Sequence, residues 1–360
     1  MQVRKKYSSI EELVKAVKTV DSEIIDLSKK HWNSIAKPLY GLGEFESLVS
    51  KICGARGTLF PSFSSAALAV FCSDNGIVKE GVSQSGQDVT AMVAGNICNE
   101  KSSVAIMAKE AGIDVFPVDM GIACKIDSLK ITDLHIQRST KDFLYEDAMS
   151  YLDAQRAVCA GANFASELCS KGYDILLEGE MGIGNTTSSA AVASVLLGME
   201  PELLCGRGAG LSDESLQHKI FVIKEGLLKR NCNAGDVIDV LSKVGGFDIC
   251  AMCGFFLGAA AEKMAVVADG MISLTAALCA FCLNQNVKDY IIPSHIGSEK
   301  ACSILCSKMG FEPVLHGKMH LGEGTGAVML VPLLKMAFAV YNKMSLFEQI
   351  GLEQYIDYEK

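Results

Sequence analysis

Hydrophobic residues along the 360-residue chain follow two different rhythms. Over residues 8–20, Ile10, Leu13, Val14 and Val17 fall at three- and four-residue spacing, the stripe of an amphipathic helix. Ser8 and Ser9 stand before Glu11 and Glu12 as a capping arrangement. Further helical stretches are expected over 22–32 and 43–53, with Lys37-Pro38-Leu39-Tyr40-Gly41-Leu42-Gly43 turning the chain between them. Beyond residue 65 short apolar runs take over, at 67–71, 113–118, 174–177, 265–268 and 290–292. They end at Asp74-Asn75-Gly76, Asp119, Glu178-Gly179-Glu180, Asp269-Gly270 and Pro293-Ser294-His295, and helical patterns follow. Strands alternating with helices predict an α/β fold, a parallel sheet with helices on both faces. Ligands of such sheets bind at the carboxyl ends of the strands, where these polar residues stand.

Composition narrows the function. The chain is 49% apolar and 21% charged, which excludes disorder. Its 33 Lys and Arg against 42 acids give a net charge of −9, a poor match to nucleic acid. Mean hydropathy is +0.27, yet charges such as Glu262-Lys263, Asp269 and Lys335 break the apolar runs below the ~18 residues a membrane span needs. Residues 1–9 are basic and polar with no apolar segment behind them, so no secretory leader is expected and the chain reads as soluble and cytoplasmic. Among the 14 cysteines, Cys250/Cys253 and Cys279/Cys282 have the spacing of a zinc or redox site. The residues between them, Ala-Met and Ala-Phe, lack the glycines of a zinc knuckle. Reduced cysteines packed as small core residues are the expectation, with no metal.

Three glycine-rich segments carry the candidate chemistry. Glu178-Gly179-Glu180-Met181-Gly182-Ile183-Gly184-Asn185-Thr186-Thr187 follows a strand and opens a helix expected over 186–198. Gly182 and Gly184 let backbone approach an anion at a helix N-terminus; the residues alone fit either a phosphate loop or a plain capped turn. The segment is neither a Walker loop nor a dinucleotide fingerprint, since Thr187 stands where the third glycine belongs. Leu321-Gly322-Glu323-Gly324-Thr325-Gly326 exposes a carboxylate between glycines, fit for a general base or for a simple helix start. Gly206-Arg207-Gly208-Ala209-Gly210 leads into a helix whose Lys219 could reach a phosphate or stay solvated. Ser294, His295 and Glu299 could form a hydrolytic triad, with Glu299 returning to the face of His295, but no nucleophile elbow supports it.

Together these motifs resemble the nicotinate-nucleotide:dimethylbenzimidazole phosphoribosyltransferase family of cobamide lower-ligand activation. Lys37-Pro38-x-x-Gly41-Leu42-Gly43 resembles its Lys-Pro-Pro-Gly-Ser-Leu-Gly segment, and Gly179 to Thr187 matches its Gly-Glu-Met-Gly-Ile-Gly-Asn-Thr-Thr signature. Asp74-Asn75-Gly76, Val82-Ser83 with Gln87-Asp88-Val89-Thr90, Gly245-Gly246-Phe247-Asp248-Ile249, Asp269-Gly270, Ser294-His295 with Glu299, and Leu321 to Gly326 complete the resemblance. It implies a Rossmann-like large domain over 60–310 and a small, mainly helical domain from 1–59 with 311–360, in a homodimer. The implied reaction moves phosphoribose from nicotinate mononucleotide to a lower-ligand base, inverting the anomeric carbon, without cofactor or metal. Glu323 takes the catalytic-base position. Glu180, Gly182, Ile183, Gly184, Asn185, Thr186, Lys219, Ser294, His295 and Gly297 fall at phosphate- and ribose-binding positions. Asp74, Asn75, Ser83, Ser85, Gln87, Met181 and Leu321 fall around the acceptor base.

The departures from the family pattern concern the acceptor. Ser85-Gly86 stands where the family has Tyr-Pro, Asn75 replaces the His of Asp-His-Gly, and Gly297 replaces a serine. The expected acceptor is therefore dimethylbenzimidazole or a related base. The alternatives are one subunit of a heterodimeric enzyme activating phenol or p-cresol, and a non-catalytic nucleotide-binding partner. Hydride transfer is disfavoured by the failed glycine fingerprint.

Overall fold

A computed structural model describes residues 7–358 apart from 125, 127, 129 and 209. Residues 1–6 of the basic start and Ala209 of the Gly206–Gly210 segment lie outside the described residues. One sheet of six parallel strands organises the chain: β1 (Ala66–Ser73), β2 (Asp114–Gly121), β3 (Thr132–Asp133), β4 (Ile175–Met181), β5 (Val266–Ala268) and β6 (Ile291–Pro293). Their order is β3-β2-β1-β4-β5-β6, so the winding reverses between β1 and β4. In register, Val70 of β1 lies opposite Gly179 of β4, Leu177 of β4 opposite Val267 of β5, and Val267 opposite Ile292 of β6. Every residue of β1 is buried, as a strand covered on both faces must be, which is why its sequence runs apolar without alternation.

The five apolar runs all fall on strands. β3 is an addition to them, because its two residues, Thr132 and Asp133, carry no apolar pattern. The helices largely follow the sequence, with one shortened. Ile10–Ala16 occupies only part of 8–20: the Ser9 hydroxyl accepts the Glu12 N–H at its start, and Val17 turns extended at its end. Ser22–Ser34 and Glu44–Arg56 match the next two expected stretches. Between them, Lys37 Nζ lies 2.5 Å from Glu46, buried, and the same carboxylate accepts Leu42 N–H at 2.9 Å. That pair pins the Pro-Gly turn.

The two chain ends meet. Tyr341 stands against the rings of His31 and Trp32, Phe338 stacks on Phe63, and Ile35 bridges Leu346. The helix Thr325–Lys343 is longer and more apolar than the charge pattern suggests, sufficient by length and composition to cross a membrane. It is a core helix here, packed on Glu44–Arg56 and Ser103–Ala111, with 56% of its most apolar window buried. All 14 cysteines are free thiols. Cys250, Cys253 and Cys279 are buried within two apolar helices, Phe247–Ala261 and Met271–Leu283, while Cys282 is exposed on the second. Burial pushes all four thiols up.

Candidate active site

A cavity of about 300 Å³ opens over the carboxyl ends of β4, β5 and β6. Four segments wall it: Glu180 to Thr186 without Gly184, Asp269 to Ser273, His295 with Gly297 to Glu299, and Met319 to Thr325 without Gly324. Each follows a strand or opens a helix, so the sheet fixes the origin of every wall.

The helix Asn185–Leu197 points its N-terminus at this cavity. Its N-cap, Gly184, sits at φ 92°, a left-handed conformation that glycine adopts freely, and no side chain caps the end. The loop before it is held from behind by a relay. Asp74 Oδ1 accepts from Thr90 Oγ1 at 2.6 Å, and that hydroxyl accepts the Ile183 N–H at 3.1 Å. Asp74 Oδ2 takes the Ala123 N–H at 2.8 Å. Lys219, buried on the helix Asp213–Arg230, donates to Thr186 Oγ1 at 2.8 Å and to Gly206 O at 3.3 Å. Burial lowers its pKa, opposed by the nearby Cys205 and Glu299. The result is a helix end with a lysine one atom behind its first turn, suited to an anion.

Across the cavity stands Glu323. It is a non-glycine residue at φ 61°, between Gly322 at φ 83° and Gly324 at φ 88°. Gly179 makes this turn possible: a Cβ there would lie 2.5 Å from Gly324 N and 2.6 Å from Glu323 O. Asp269 then pins the far side. Its Oδ2 accepts Gly324 N–H at 3.1 Å, and its Oδ1 accepts Gly326 N–H at 2.8 Å and Ala327 N–H at 3.2 Å. The Glu323 carboxylate accepts Val104 N–H at 3.4 Å, at the start of Ser103–Ala111. Burial raises its pKa, while Val104 pulls it back and the Asp269 charge raises it further. A half-buried carboxylate raised in this way is a better proton acceptor than an exposed glutamate.

More acids crowd the same strand ends. Burial is the largest cause in each: it pushes Glu180 up to about 8, lifts Asp269 and raises Glu178 well above the usual range. Glu178 Oε1 accepts from Ser273 Oγ, and that oxygen accepts Asp269 N–H at 2.8 Å, so neighbouring walls share one network.

Of the residues expected at the site, Glu180, Met181, Gly182, Ile183, Asn185, Thr186, His295, Gly297, Leu321 and Glu323 line the cavity. Gly184, Lys219 and Ser294 stand just behind its walls, Ser294 fully buried with its hydroxyl 2.9 Å from His295 Nδ1. Asp74 and Asn75 do not line it. Both are fully buried: Asp74 is committed to the Thr90 relay, and Asn75 Oδ1 accepts the Ser188 hydroxyl. Ser83, Ser85 and Gln87 also lie outside the lining. Ser83 Oγ accepts Ser85 N–H, and Gln87 turns inward to Asn75 O and Ser139 Oγ. The disfavoured Ser294–His295–Glu299 triad does not form: Glu299 is the N-cap of Lys300–Met309, not on a shared helical face with His295. Val93, Ile272, Cys302, Met319 and His320 line the cavity without sequence forewarning. The apolar residues among them carry no such signal, and His320 stands outside every motif singled out above.

A Rossmann-like sheet whose strand ends bear an anion-ready helix N-terminus and a facing half-buried carboxylate is the build of a phosphate-binding α/β enzyme. The sequence profile of a family described as Phosphoribosyltransferase matches residues 17–352. The chain is 39% identical over 342 residues to the nicotinate-nucleotide–dimethylbenzimidazole phosphoribosyltransferase of Acetivibrio thermocellus, spanning 95% of this chain and 97% of that one. It is 38% identical over 347 residues to the enzyme of the same name from Clostridium acetobutylicum, spanning 96% and 99%. The crystal structure of CobT from Thermus thermophilus superposes with a TM-score of 0.88 at 29% identity, covering 92% of this chain and all of that one. The chain belongs to the nicotinate-nucleotide–dimethylbenzimidazole phosphoribosyltransferase family.

Proposed function

We propose that this enzyme moves the phosphoribosyl group of nicotinate mononucleotide to a cobamide lower-ligand base, dimethylbenzimidazole or a close relative. The observation that carries the reading is the opposition of Glu323 and the Asn185–Leu197 helix end across one cavity. The 5′-phosphate sits on the Gly182–Gly184 loop and first helical turn, with Lys219 supplying the charge behind Thr186. Glu180 faces the ribose, and Met181 and Leu321 flank the incoming base. An unprotonated ring nitrogen of the base attacks the anomeric carbon from the face opposite nicotinate. The carbon–nicotinate bond breaks, and its electron pair neutralises the pyridinium ring, which makes nicotinate a ready leaving group. Glu323 takes the proton from the base's N–H nitrogen. The products are nicotinate and an α-ribazole phosphate. Fixing donor and acceptor in one cavity supplies most of what the step requires.

The resemblance and the near full-length similarity also support a homodimer of cytoplasmic chains, divided into a 60–310 domain and a helical 1–59/311–360 unit. Incubating the purified chain with nicotinate mononucleotide and a panel of benzimidazoles, adenine and phenols tests the reading. Base-dependent nicotinate release and a ribazole phosphate, identified by mass spectrometry, are expected. Release that ignores the base, or activity only with a second related chain added, rules out this assignment for the chain alone.

A further inference from the structure

Behind the glycine loop lie polar side chains that the transfer scheme does not use. Asp248 opens the helix Phe247–Ala261 and is fully buried. The Asn185 amide has two hydrogens. One goes to Glu180 Oε2 and the other to Asp248 Oδ2, the latter at 3.1 Å. The amide clips two carboxyl groups together and has no donor left for a ligand. Asp248 Oδ1 has no hydrogen-bond partner, nor has Asn75 Nδ2. Asn75 Oδ1 and Asp248 Oδ1 both border Gly246, where a Cβ would collide with each. A fully ionised Asp248 would be a buried charge offset by Asn185 and the backbone N–H groups of Asp248 and Ile249 alone, which is costly. A proton on Asp248 removes that cost.

We propose that Asp248 is a positioning residue for the transfer site: through Asn185 it fixes Glu180 in the cavity wall, and the pair of carboxyl groups carries one proton. This rests on the reading above only in placing Glu180 beside the ribose. The surroundings favour retention of the proton. Glu180 is faced by Asp248, Asp269 and Glu323 from three elements and by Glu178 on its own strand, and Asp248 is faced by Asp74. The thiols Cys72 and Cys250 adjoin the group. Burial, with Asp248 as the next cause, pushes Glu180 up to about 8, and burial likewise pushes Asp248 up to about 7. Asn185 is also the first residue of the phosphate-facing helix, its N–H on Gly182 O at 3.1 Å, so the clip ties Glu180 to the loop.

Asp248→Asn keeps the shape and an oxygen for Asn185 but removes the ionisable group. Infrared spectra of the ligand-free wild type should contain a protonated-carboxyl band that disappears between about pH 6 and 9. In Asp248→Asn the remaining titration moves to lower pH by about one unit, because a neighbouring negative charge is gone; Asp248→Glu restores it. In turnover of nicotinate mononucleotide the alkaline limb of kcat/KM shifts the same way, about a tenfold loss near pH 8. A wild-type spectrum without the band overturns the proposal even if the variant fails to fold. So does a variant that superimposes on wild type in both spectrum and pH profile. A titration that shifts in Asp248→Asn, with a wild type that does not turn over nicotinate mononucleotide, counts against the transfer reaction and leaves the clip standing.

Discussion

Two helix N-termini meet the same cavity and are used in opposite ways. Asn185–Leu197 and Thr325–Lys343 each begin after a left-handed glycine, Gly184 at φ 92° and Gly324 at φ 88°, and neither has a capping side chain of its own. At the second, Asp269 reaches across from β5 and accepts three of the N–H groups, so a protein carboxylate occupies the positive end. At the first, the loop is braced from behind by Thr90 and Lys219, and its front faces the cavity. The same backbone dipole serves ligand in one place and machinery in the other. What separates the two uses is whether a strand-end acid accepts the backbone N–H groups of the helix start, as Asp269 does, or holds side chains around it, as Glu180 and Asp74 do.

The sharpest way to break the comparison is at the reacting carboxylate. Glu323→Gln keeps the size and the oxygen that accepts Val104 N–H but cannot take a proton. Turnover should fall by about two or more orders of magnitude, the usual scale for a lost general base, with binding of nicotinate mononucleotide by calorimetry preserved. Near-normal turnover would return Glu323 to the status of a helix-start residue.

Much of this arrangement was legible in the sequence, for identifiable reasons. A strand covered on both faces must be continuously apolar, so five of six strands declared themselves, and the polar residues at their ends marked the site rim. Glu323 between two glycines and Gly182-x-Gly184 were visible because backbone in left-handed or closely approached conformations demands glycine. What was not legible is which acids serve ligand and which serve protein. Asp74 reads as a site residue by position, yet its oxygens are committed to Thr90 and Ala123. Asp248 stands in the sequence only as part of the Gly245–Ile249 match, yet it shares Asn185 with Glu180. Hydrogen-bond partners far apart along the chain leave no local pattern. The acceptor side was the least legible, since the loop carrying Ser83, Ser85 and Gln87 lies outside the cavity lining.

At the open helix end the expected loss is smaller and falls on binding. Lys219→Met preserves the buried stem and removes the ammonium from Thr186. A charge-assisted hydrogen bond contributes about 2 kcal/mol, so KM for nicotinate mononucleotide should rise about 30-fold. The effect on kcat should stay within about threefold, since the phosphate is distant from the bond being broken. Steady-state kinetics separate the two. A fall in kcat at unchanged KM would mean that Lys219 acts on the reacting centre and that this end is not a plain anion site.

The closed end should respond differently, through stability first and rate second. Asp269 carries its N–H donors on both oxygens, two on Oδ1 and one on Oδ2. In Asp269→Asn only one oxygen remains, so in either amide orientation an NH2 group faces at least one of those N–H donors. The helix start then holds an unsatisfied buried donor and loses the charge that opposes its dipole, a cost of about 2 kcal/mol. The urea midpoint should fall accordingly. Glu323 lies one residue before the displaced Gly324, so its carboxylate loses its fixed direction, and kcat should drop about tenfold, the scale of a small misplacement rather than of a missing base. KM for nicotinate mononucleotide should hold within about threefold because the phosphate end is untouched. If instead Asp269→Asn weakened donor binding and left kcat and stability intact, Asp269 would be a ligand residue, and the two helix ends would not differ in the way described.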